Sequence, residues 1–419
     1  MRIGFIIGRI GGVDGVALET EKWIHVLRRM GHHIAIITGE LQGDVENVTV
    51  VPALSFGSPT AVSIQKKAFF GAPATEAELL SELERDSQAI EQELYTWATR
   101  EKLDYLVSEN ANALPFHATL GRAIKRLIER TGIPCVSHDH DFYWERGSRY
   151  ETPHACVLSL LKDCYPIDAP NVKHAVINKA AKAYLEQHLG ITDTIVVPNV
   201  MDFDAPFGQS DAYNSDLRTE LGLAAEDVLL FQITRIVRRK GIETAVELVH
   251  RLADPKVKLI VTGTDEDDTS GYLAELKQQA KRLKIETQVI FAGAHFANHR
   301  QQSDGKKIYA LHDGYAHADA MTYFSTYEGF GNAFVEAVVA KVPIFVNNYK
   351  PVYWPDIGSL GFQTVQIENS ELSDEAVEHM RRILRDPLLR HEMTDHNFEL
   401  GREHFSYQAL ERLFASLFQ

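Results

Sequence analysis

The sequence contains few cysteines and no long uninterrupted apolar segment. Three of its 419 residues are cysteines, Cys135, Cys156 and Cys164, and no two of them form a C-x-x-C pair. A disulfide framework needs a larger paired set, so these cysteines predict reduced thiols and a cytoplasmic location. No apolar run approaches the roughly 18 residues of a membrane-spanning helix. The apolar start, residues 2–7, predicts a first β-strand rather than a signal peptide.

The chain also has too few basic residues to balance its acidic ones. It carries 43 Lys and Arg against 58 Asp and Glu, which gives a formal net charge of −15. Because binding to a polyanion needs a basic footprint, this charge disfavours nucleic acid as a partner and, less strongly, an anionic membrane surface. The length and an apolar content of 45% predict a globular protein of two or three domains.

The first forty residues have the pattern of a parallel strand–helix–strand unit. A glycine loop, 8–14, follows the strand at 2–7, and a helix to Met30 then precedes a strand over 33–38. A loop at the carboxyl end of a parallel strand is a common ligand site, which makes Gly12 and Val13 candidates. A tight turn that needs glycine is the alternative, and for Gly12 alone it is the commoner explanation.

The second half repeats this pattern. Strands are predicted over 228–234, 257–263, 288–293, 319–324 and 342–346, and helices near 240–252, 271–284, 332–341 and 372–386. This alternation predicts a second doubly wound sheet. Elsewhere, residues 52–75 are predicted as a loop, 75–101 as a long acidic surface helix and 404–419 as a last amphipathic helix.

The most informative stretch is 328–336, which has the pattern of a glycine loop followed by a buried helix. Gly329 and Gly331 allow backbone N–H groups to face a ligand, and a helix that starts at Asn332 offers its positive end to a diphosphate. Glu336 is a carboxylate on an apolar helix, where a ribose diol could donate hydrogen bonds to it. A core glutamate satisfied by an arginine or by the backbone is the alternative.

Two polar clusters follow other predicted strands. Residues 235–241 are rich in Arg and Lys, and basic side chains before a helix start suit a diphosphate, although a solvated turn has the same composition. Residues 138–141 read His-Asp-His-Asp, and strand alternation places both histidines on one face. The spacing supplies no third metal ligand, so no metal is predicted. Asn110 also follows a strand, as a site residue or a helix cap.

Together these motifs resemble those of the retaining glycosyltransferases of family 4. The resemblance rests on E-x7-E at 328–336, R-x4-K-G at 235–241 and the G-G-V loop at 11–13. It implies an α/β protein of the GT-B fold, with two doubly wound Rossmann-like parallel-sheet domains and an interdomain cleft. Residues 1–198, completed by helix 404–419, would form the N-terminal acceptor-binding domain, and 199–403 the C-terminal domain that binds a sugar nucleotide.

The family pattern assigns a role to each matching residue. The catalytic set it implies is Arg235, Lys240, His140 and Glu328. The donor-binding set is Gly12, Val13, Glu328, Gly329, Phe330, Gly331, Asn332 and Glu336. The acceptor-binding set is Asn110, Asp141 and His138. The doubled His-Asp leaves open which histidine faces the donor, and the resemblance implies no metal and no cofactor.

The implied activity is retaining transfer of a hexose from a nucleotide sugar of the UDP-glucose or GDP-mannose type. The acidic chain favours a small soluble hydroxyl acceptor, such as a sugar, a sugar phosphate or a glycerate glycoside. A lipid-linked or cell-wall glycan acceptor is the alternative within the same activity. A sugar-nucleotide epimerase of the same fold is the alternative activity, and it would turn over a donor without an acceptor.

Overall fold

The structure is a computed structural model that describes residues 1–12, 14–264, 271–303 and 305–419. The chain forms two compact units. The N-terminal unit contains Met1–Asn199 and Leu410–Gln419, and the C-terminal unit contains Val200–Ala409. The boundary after Asn199 lies one residue beyond the predicted boundary at 198, and the boundary after Ala409 lies six residues beyond the predicted boundary at 403.

The N-terminal unit is built on a parallel sheet of seven strands. The strands are β1 (Arg2–Ile10), β2 (His33–Leu41), β3 (Val48–Val50), β4 (Tyr105–Glu109), β5 (Cys135–Asp139), β6 (Val172–Val176) and β7 (Thr194–Val196). Their order across the sheet is β3-β2-β1-β4-β5-β6-β7, and every pair is parallel. The order therefore reverses between β1 and β4.

Helices cover this sheet. They are α1 (Gly15–Arg29), α2 (Pro59–Phe69), α3 (Glu76–Glu101), α4 (Ala118–Thr131), α5 (Ala155–Cys164) and α6 (Lys179–Tyr184). Asp14 caps α1 by accepting a hydrogen bond from the Ala17 amide, and Thr75 and Glu78 form a capping box at α3. These caps supply partners for amides that have none within a helix, which fixes where each helix starts.

Two sequence-based predictions in this unit are wrong. Strand β1 continues to Ile10, although 8–10 were predicted as part of the glycine loop, because its pairing with β2 extends to Ile10 and Leu41. Much of the predicted loop over 52–75 is helix α2, which Ser58 caps and whose buried side is formed by Ala61, Ile64 and Ala68. The flanking Pro and Gly residues concealed this helical spacing.

The C-terminal unit contains a parallel sheet of six strands and a small three-stranded sheet. The strands are β8 (Val228–Gln232), β9 (Val257–Val261), β10 (Val289–Phe291), β11 (Phe296–Ala297), β12 (Gln301–Ser303), β13 (Lys306–Ala310), β14 (Ala320–Tyr323), β15 (Ile344–Asn347) and β16 (Val365–Ile367). The large sheet has the order β10-β9-β8-β14-β15-β16, and the small one β11-β13-β12. The large sheet reverses between β8 and β14.

The helices that follow are named in chain order. They are α7 (Leu217–Glu220), α8 (Ile242–Leu252), α9 (Tyr272–Arg282), α10 (Leu311–Tyr315), α11 (Asn332–Val339), α12 (Tyr353–Asp356), α13 (Asp374–Arg385), α14 (Pro387–Phe405) and α15 (Tyr407–Leu417). From Leu410 onwards α15 belongs to the N-terminal unit, where Phe414 packs edge-on against Trp23. Within the described residues, every helix is too short or too polar to span a bilayer.

Both units thus have the Rossmann-like parallel arrangement expected from the sequence. In such sheets, ligands bind outside the carboxyl ends of the strands, where the strand order reverses. The loops after β1 and β4 occupy this place in the N-terminal unit, and those after β8 and β14 occupy it in the C-terminal unit. Most of the described candidate residues lie in or next to these loops. His138, His140 and Asp141 lie in or directly after β5, the neighbour of β4 in the sheet.

Candidate functional site

In the C-terminal unit, the basic segment after β8 folds back against the segment after β14. Arg238–Lys240 form one 3₁₀ turn, and Gly241 follows in the left-handed region at φ +60°. A Cβ atom on Gly241 would lie 2.1 Å from the Phe324 carbonyl oxygen, so only glycine permits this approach. This close packing brings Lys240 to Glu328.

Glu328 is held between two cations. Lys240 Nζ lies 2.5 Å from Glu328 Oε1, and Arg239 Nη1 lies 3.0 Å from Glu328 Oε2. The side chains of Lys240 and Glu328 are only 13% and 11% exposed, whereas that of Arg239 is 41% exposed. The structure therefore places two of the predicted catalytic residues in direct contact, and it adds an arginine that the family pattern did not assign.

Burial and charge act in opposite directions on this carboxylate. Burial would raise the pKa of Glu328, but Lys240 and Arg239 outweigh it, and the pKa of Glu328 is lowered. For Lys240 burial prevails, and its pKa is lowered even though Glu328 favours the charged form. Arg235 is exposed, and its positive charge contributes to the lowered pKa of Lys240. The cluster thus carries excess positive charge, which suits an anionic ligand.

The glycine loop before α11 adopts a conformation that requires glycine. Gly331 has φ +134°, and a Cβ atom there would lie 2.4 Å from Tyr349 Oη. Among the described residues, no side chain caps the start of α11 at Asn332. Phe330 is buried against Phe405, and its carbonyl accepts a hydrogen bond from Tyr349. Its side chain is thus part of the core, so a donor could contact Phe330 only through its backbone.

Glu336 has a tyrosine partner rather than the arginine or backbone partner considered from the sequence. Tyr315 Oη donates a 2.8 Å hydrogen bond to Glu336 Oε2. Tyr315 is buried, and burial together with the nearby Glu336 charge raises its pKa well above the usual value, so it remains a donor at neutral pH. Within the described part of the chain, this is the hydrogen bond that the Glu336 carboxylate accepts. Half-buried Glu336 therefore retains Oε1 for a ligand.

In the N-terminal unit, strand pairing assembles a carboxylate and two histidines. Glu109, the last residue of β4, lies opposite His138 in the parallel register with β5. Glu109 Oε1 is 2.9 Å from His138 Nδ1 and 3.0 Å from His140 Nε2. The two imidazole centroids are 4.4 Å apart, which confirms that the histidines share a face. Burial alone would raise the pKa of Glu109, but the histidines lower it to about 2.

The two histidines differ in burial. The His138 side chain is fully buried and stacks on Trp23 at 3.9 Å between ring centroids, so it is shielded from an acceptor. The His140 side chain is 9% exposed, and of the pair it alone reaches the surface of this unit. Asn110 does not cap a helix, and instead its Oδ1 accepts a 3.0 Å hydrogen bond from the His140 amide.

The remaining predicted residues lie around this group. Gly11 has φ +75°, and a Cβ atom on it would overlap the Gln42 carbonyl oxygen. The backbone conformation and the close packing therefore explain the glycine at this position. Gly12 has a wider space, with Gln42 Oε1 3.1 Å from a Cβ atom. Val13 lies outside the described residues. Asp141 pairs with Arg146, so this carboxylate already has a cationic partner.

Three residues that contact the predicted ones, Arg239, Tyr315 and Glu109, had no role assigned from the sequence. Arg239 belongs to the basic run 235–241, but the sequence does not distinguish it from its neighbour Arg238. In the structure Arg239 pairs with Glu328, whereas Arg238 pairs with Glu275 at an exposed position. Tyr315 and Glu109 are distant in sequence from their partners, and only tertiary packing and strand register bring them close. The position of Glu109 at the carboxyl end of a strand is the one sequence feature that indicates a place in a ligand site.

Comparison with known proteins assigns this architecture to a family. The profile of the family described as "Glycosyl transferases group 1" matches residues 214–399. Two proteins named mannosylglucosylglycerate synthase are similar over nearly the full length. The Thermotoga maritima protein is 32% identical and the Petrotoga mobilis protein 30% identical. The alignments cover 98% and 97% of this chain, respectively, and 98% of each relative.

The fold is also that of solved glycosyltransferases. The crystal structure of a glycosyltransferase from Rickettsia africae superposes with a TM-score of 0.70 at 14% identity, over 100% of this chain and 97% of the other. At this identity the similarity concerns the fold alone. Two parallel Rossmann-like sheets with glycosyltransferase neighbours identify the GT-B fold.

Proposed function

The chain belongs to the group 1 glycosyl transferases, and from this premise we propose that it transfers a hexosyl group from a nucleotide sugar to a glycerate glycoside, with retention of anomeric configuration. The observation that carries the proposal is the buried contact of Lys240 with Glu328, beside Arg239 and before the glycine loop of α11. It combines the two devices that the reaction needs, which are cations for a leaving diphosphate and a carboxylate for sugar hydroxyls.

The difficult step is departure of a nucleoside diphosphate from an anomeric carbon. Preorganised positive charge at the leaving group stabilises the transition state, because a dry site strengthens each contact and needs no reorganisation. We assign this role to Lys240 and Arg235, with Arg239 as a further contributor, and with backbone N–H groups of 329–332 beside them. Lys240 would exchange its contact with Glu328 for one with the diphosphate, and Glu328 would then accept hydrogen bonds from the sugar.

The nucleoside would be held by Glu336. Tyr315 fixes one carboxylate oxygen, so the other has a defined direction and can accept hydrogen bonds from a ribose diol. A carboxylate that is half-buried and already oriented loses little conformational entropy on binding. The glycines of this loop, and Gly12 with Val13 in the N-terminal unit, complete the donor-binding set that we propose.

The acceptor proposal rests on the relatives. Both are named for a product in which glycerate carries mannosyl and glucosyl groups, and the similarity extends over almost the whole of each chain. A glycerate glycoside is one of the small hydroxyl acceptors expected from the sequence, and a mannosyl donor is the first to test. We propose Asn110 and Asp141 as acceptor contacts, and His140, rather than buried His138, as the residue that contacts the transferred sugar.

Retention is proposed to occur by front-face attack. The acceptor hydroxyl would attack from the side that the diphosphate leaves, and the departing phosphate oxygen would take the hydroxyl proton, so no enzymic nucleophile is needed. The three cysteines are free thiols, which a reducing compartment preserves, and the cytoplasm is the location that we propose for the reaction.

A matrix of donors and acceptors tests the activity. GDP-mannose, UDP-glucose and ADP-glucose would each be incubated with glucosylglycerate, glycerate, glucose or a lipid-linked sugar, and both the released nucleoside diphosphate and the product would be quantified. We expect turnover only when a donor and a glycerate glycoside are present together. Conversion of a donor without an acceptor would indicate an epimerase or a hydrolase, and turnover on the lipid-linked sugar alone would overturn the acceptor assignment.

A further inference from the structure

The Glu109, His138 and His140 side chains form a group with the composition of a metal site. One ligand atom from each residue lies within 4.8 Å of the other two. Two imidazoles and one carboxylate are a donor set that binds divalent first-row transition ions, whereas sites for magnesium and calcium are dominated by oxygen. No metal was expected from the sequence because the spacing around the two histidines offers no third ligand. The pairing of β4 with β5 supplies that third ligand, Glu109.

The spacing of the donor atoms fits a shared ion. With bonds of about 2.1 Å, adjacent ligands lie about 3.0 Å apart around an octahedral ion and about 3.4 Å apart around a tetrahedral ion, which is the usual geometry of Zn²⁺. The two Glu109–histidine distances are 2.9 and 3.0 Å. Hydrogen bonds have similar lengths, so distance alone does not separate a metal site from a set of histidine–carboxylate hydrogen bonds. The angle at which the donor and acceptor atoms meet is the feature that does.

The angles at His138 favour a bound ion over a hydrogen bond. Neither ring nitrogen of His138 has a hydrogen-bond partner in the described part of the chain, although Nδ1 lies 2.9 Å from Glu109 Oε1. Glu109 Oε2 is also buried without a hydrogen-bond partner there. Buried polar atoms in native proteins are nearly always satisfied, and two such residues in contact point to a missing ligand.

A neighbouring histidine shows what a purely structural pair looks like in this unit. His174 is equally buried, but its Nδ1 contacts Asp139 Oδ2 at 2.9 Å and its Nε2 contacts the Ile167 carbonyl at 2.9 Å. Both nitrogens of His174 therefore have partners, whereas those of His138 do not. Trp23 stacks on His138 and fixes the orientation of its ring, as a preformed ligand requires.

We propose that Glu109, His138 and His140 bind one divalent transition-metal ion, such as Zn²⁺ or Co²⁺, in the N-terminal unit. The ion enters from the side of His140, whose side chain reaches the surface. Three protein ligands leave further coordination positions for water or an oxygen ligand. The test of this proposal does not depend on glycosyl transfer, because it measures binding of the metal alone, although His140 is also the residue that we propose as a contact of the transferred sugar.

The test is a metal titration of the full chain after removal of bound ions with a chelator. Co²⁺ binding would be followed by visible absorption and Zn²⁺ binding by calorimetry, in the wild type and in H140Q and E109Q. The matched control is H154Q, which removes a histidine that pairs with Glu76 on the surface. We expect one equivalent to bind to the wild type and to H154Q, and at least tenfold weaker binding in H140Q and E109Q.

Thermal unfolding supplies a second readout, because a ligand that binds only the native state raises Tm by an amount that grows with the logarithm of the ratio of free ligand to Kd. Zn²⁺ should raise Tm in the wild type and in H154Q but not in H140Q. His140 is the most exposed of the three ligands, so H140Q decides the matter if E109Q does not fold. Absence of a one-equivalent site in the wild type, or equal affinity in H140Q, would overturn the proposal.

Discussion

Replacing Lys240 by methionine separates the catalytic from the structural role of the Lys240–Glu328 contact. Methionine keeps much of the side-chain length and removes the charge. If Lys240 stabilises the leaving diphosphate, one such contact is worth roughly 2.7–4 kcal/mol in the transition state, which corresponds to a kcat about 10²- to 10³-fold lower. Binding of the donor should weaken less than turnover, because the charge of the diphosphate grows as the bond breaks.

The same substitution also affects folding. Glu328 would lose the partner at 2.5 Å and keep Arg239, which is 41% exposed and partly screened by solvent. Because one partner remains, we expect the free energy of unfolding to fall by roughly 1–3 kcal/mol rather than by the full cost of an unpaired buried charge. The double variant K240M/E328Q removes the stranded carboxylate, so it should regain stability without regaining activity.

The assay would combine steady-state kinetics with urea unfolding for the wild type, K240M and the double variant. The matched control is Arg238→Ala, which removes a cation from the same basic run at an exposed pair with Glu275. We expect this control to change stability by no more than about 0.5 kcal/mol and to leave kcat unchanged. A folded K240M protein with near wild-type kcat would refute the assignment of Lys240 to the leaving group.

Three further predictions concern residues of the C-terminal unit, and the last of them uses Gly15 of the N-terminal unit as a control. Glu336→Gln should raise the donor KM roughly 10- to 100-fold with little change in Tm, because it weakens a hydrogen bond to a charged group; a lower Tm with unchanged KM would instead indicate a structural carboxylate. The lowered pKa of Glu328 contributes stability that is complete above its ordinary value of 4.5 and is lost as pH falls through the folded pKa, so E328Q should lose less unfolding free energy on acidification below pH 4.5 than the wild type; parallel stability curves would contradict this. Gly331→Ala should cost roughly 1–3 kcal/mol because of its φ of +134° and the Tyr349 contact, whereas Gly15→Ala, with open space around it, should be neutral or stabilising when both are measured by chemical denaturation.

Most strands of the two large sheets were predictable because parallel strands covered on both faces are continuous apolar runs. The short strands β3 and β16 and the strands of the small sheet were not predicted. Glu328 and Glu336 were also identifiable, since a carboxylate next to a glycine loop or on an apolar helix departs from its surroundings. Helix α2 was not, because a proline and glycines at its borders suggest a loop, and its buried face becomes clear only when it packs.

The partners of the candidate residues could not be found from spacing alone. Glu109 meets His138 through the register of two strands separated by 25 residues of loop and helix, and Tyr315 reaches Glu336 from a different helix. Phe330 shows the opposite case. Its place in the motif suggested a ligand contact, but its large apolar side chain gains more from burial against Phe405.

The most direct test of the central claim is the anomeric configuration of the product. The chain would be incubated with GDP-α-mannose and glucosylglycerate, and the new linkage would be assigned by NMR from the one-bond carbon–hydrogen coupling at the transferred anomeric centre. We expect an α-linked product, formed only when both substrates are present and lost in K240M. A β-linked product would contradict front-face transfer, and no transfer to glucosylglycerate from any nucleotide sugar would contradict the proposed function itself.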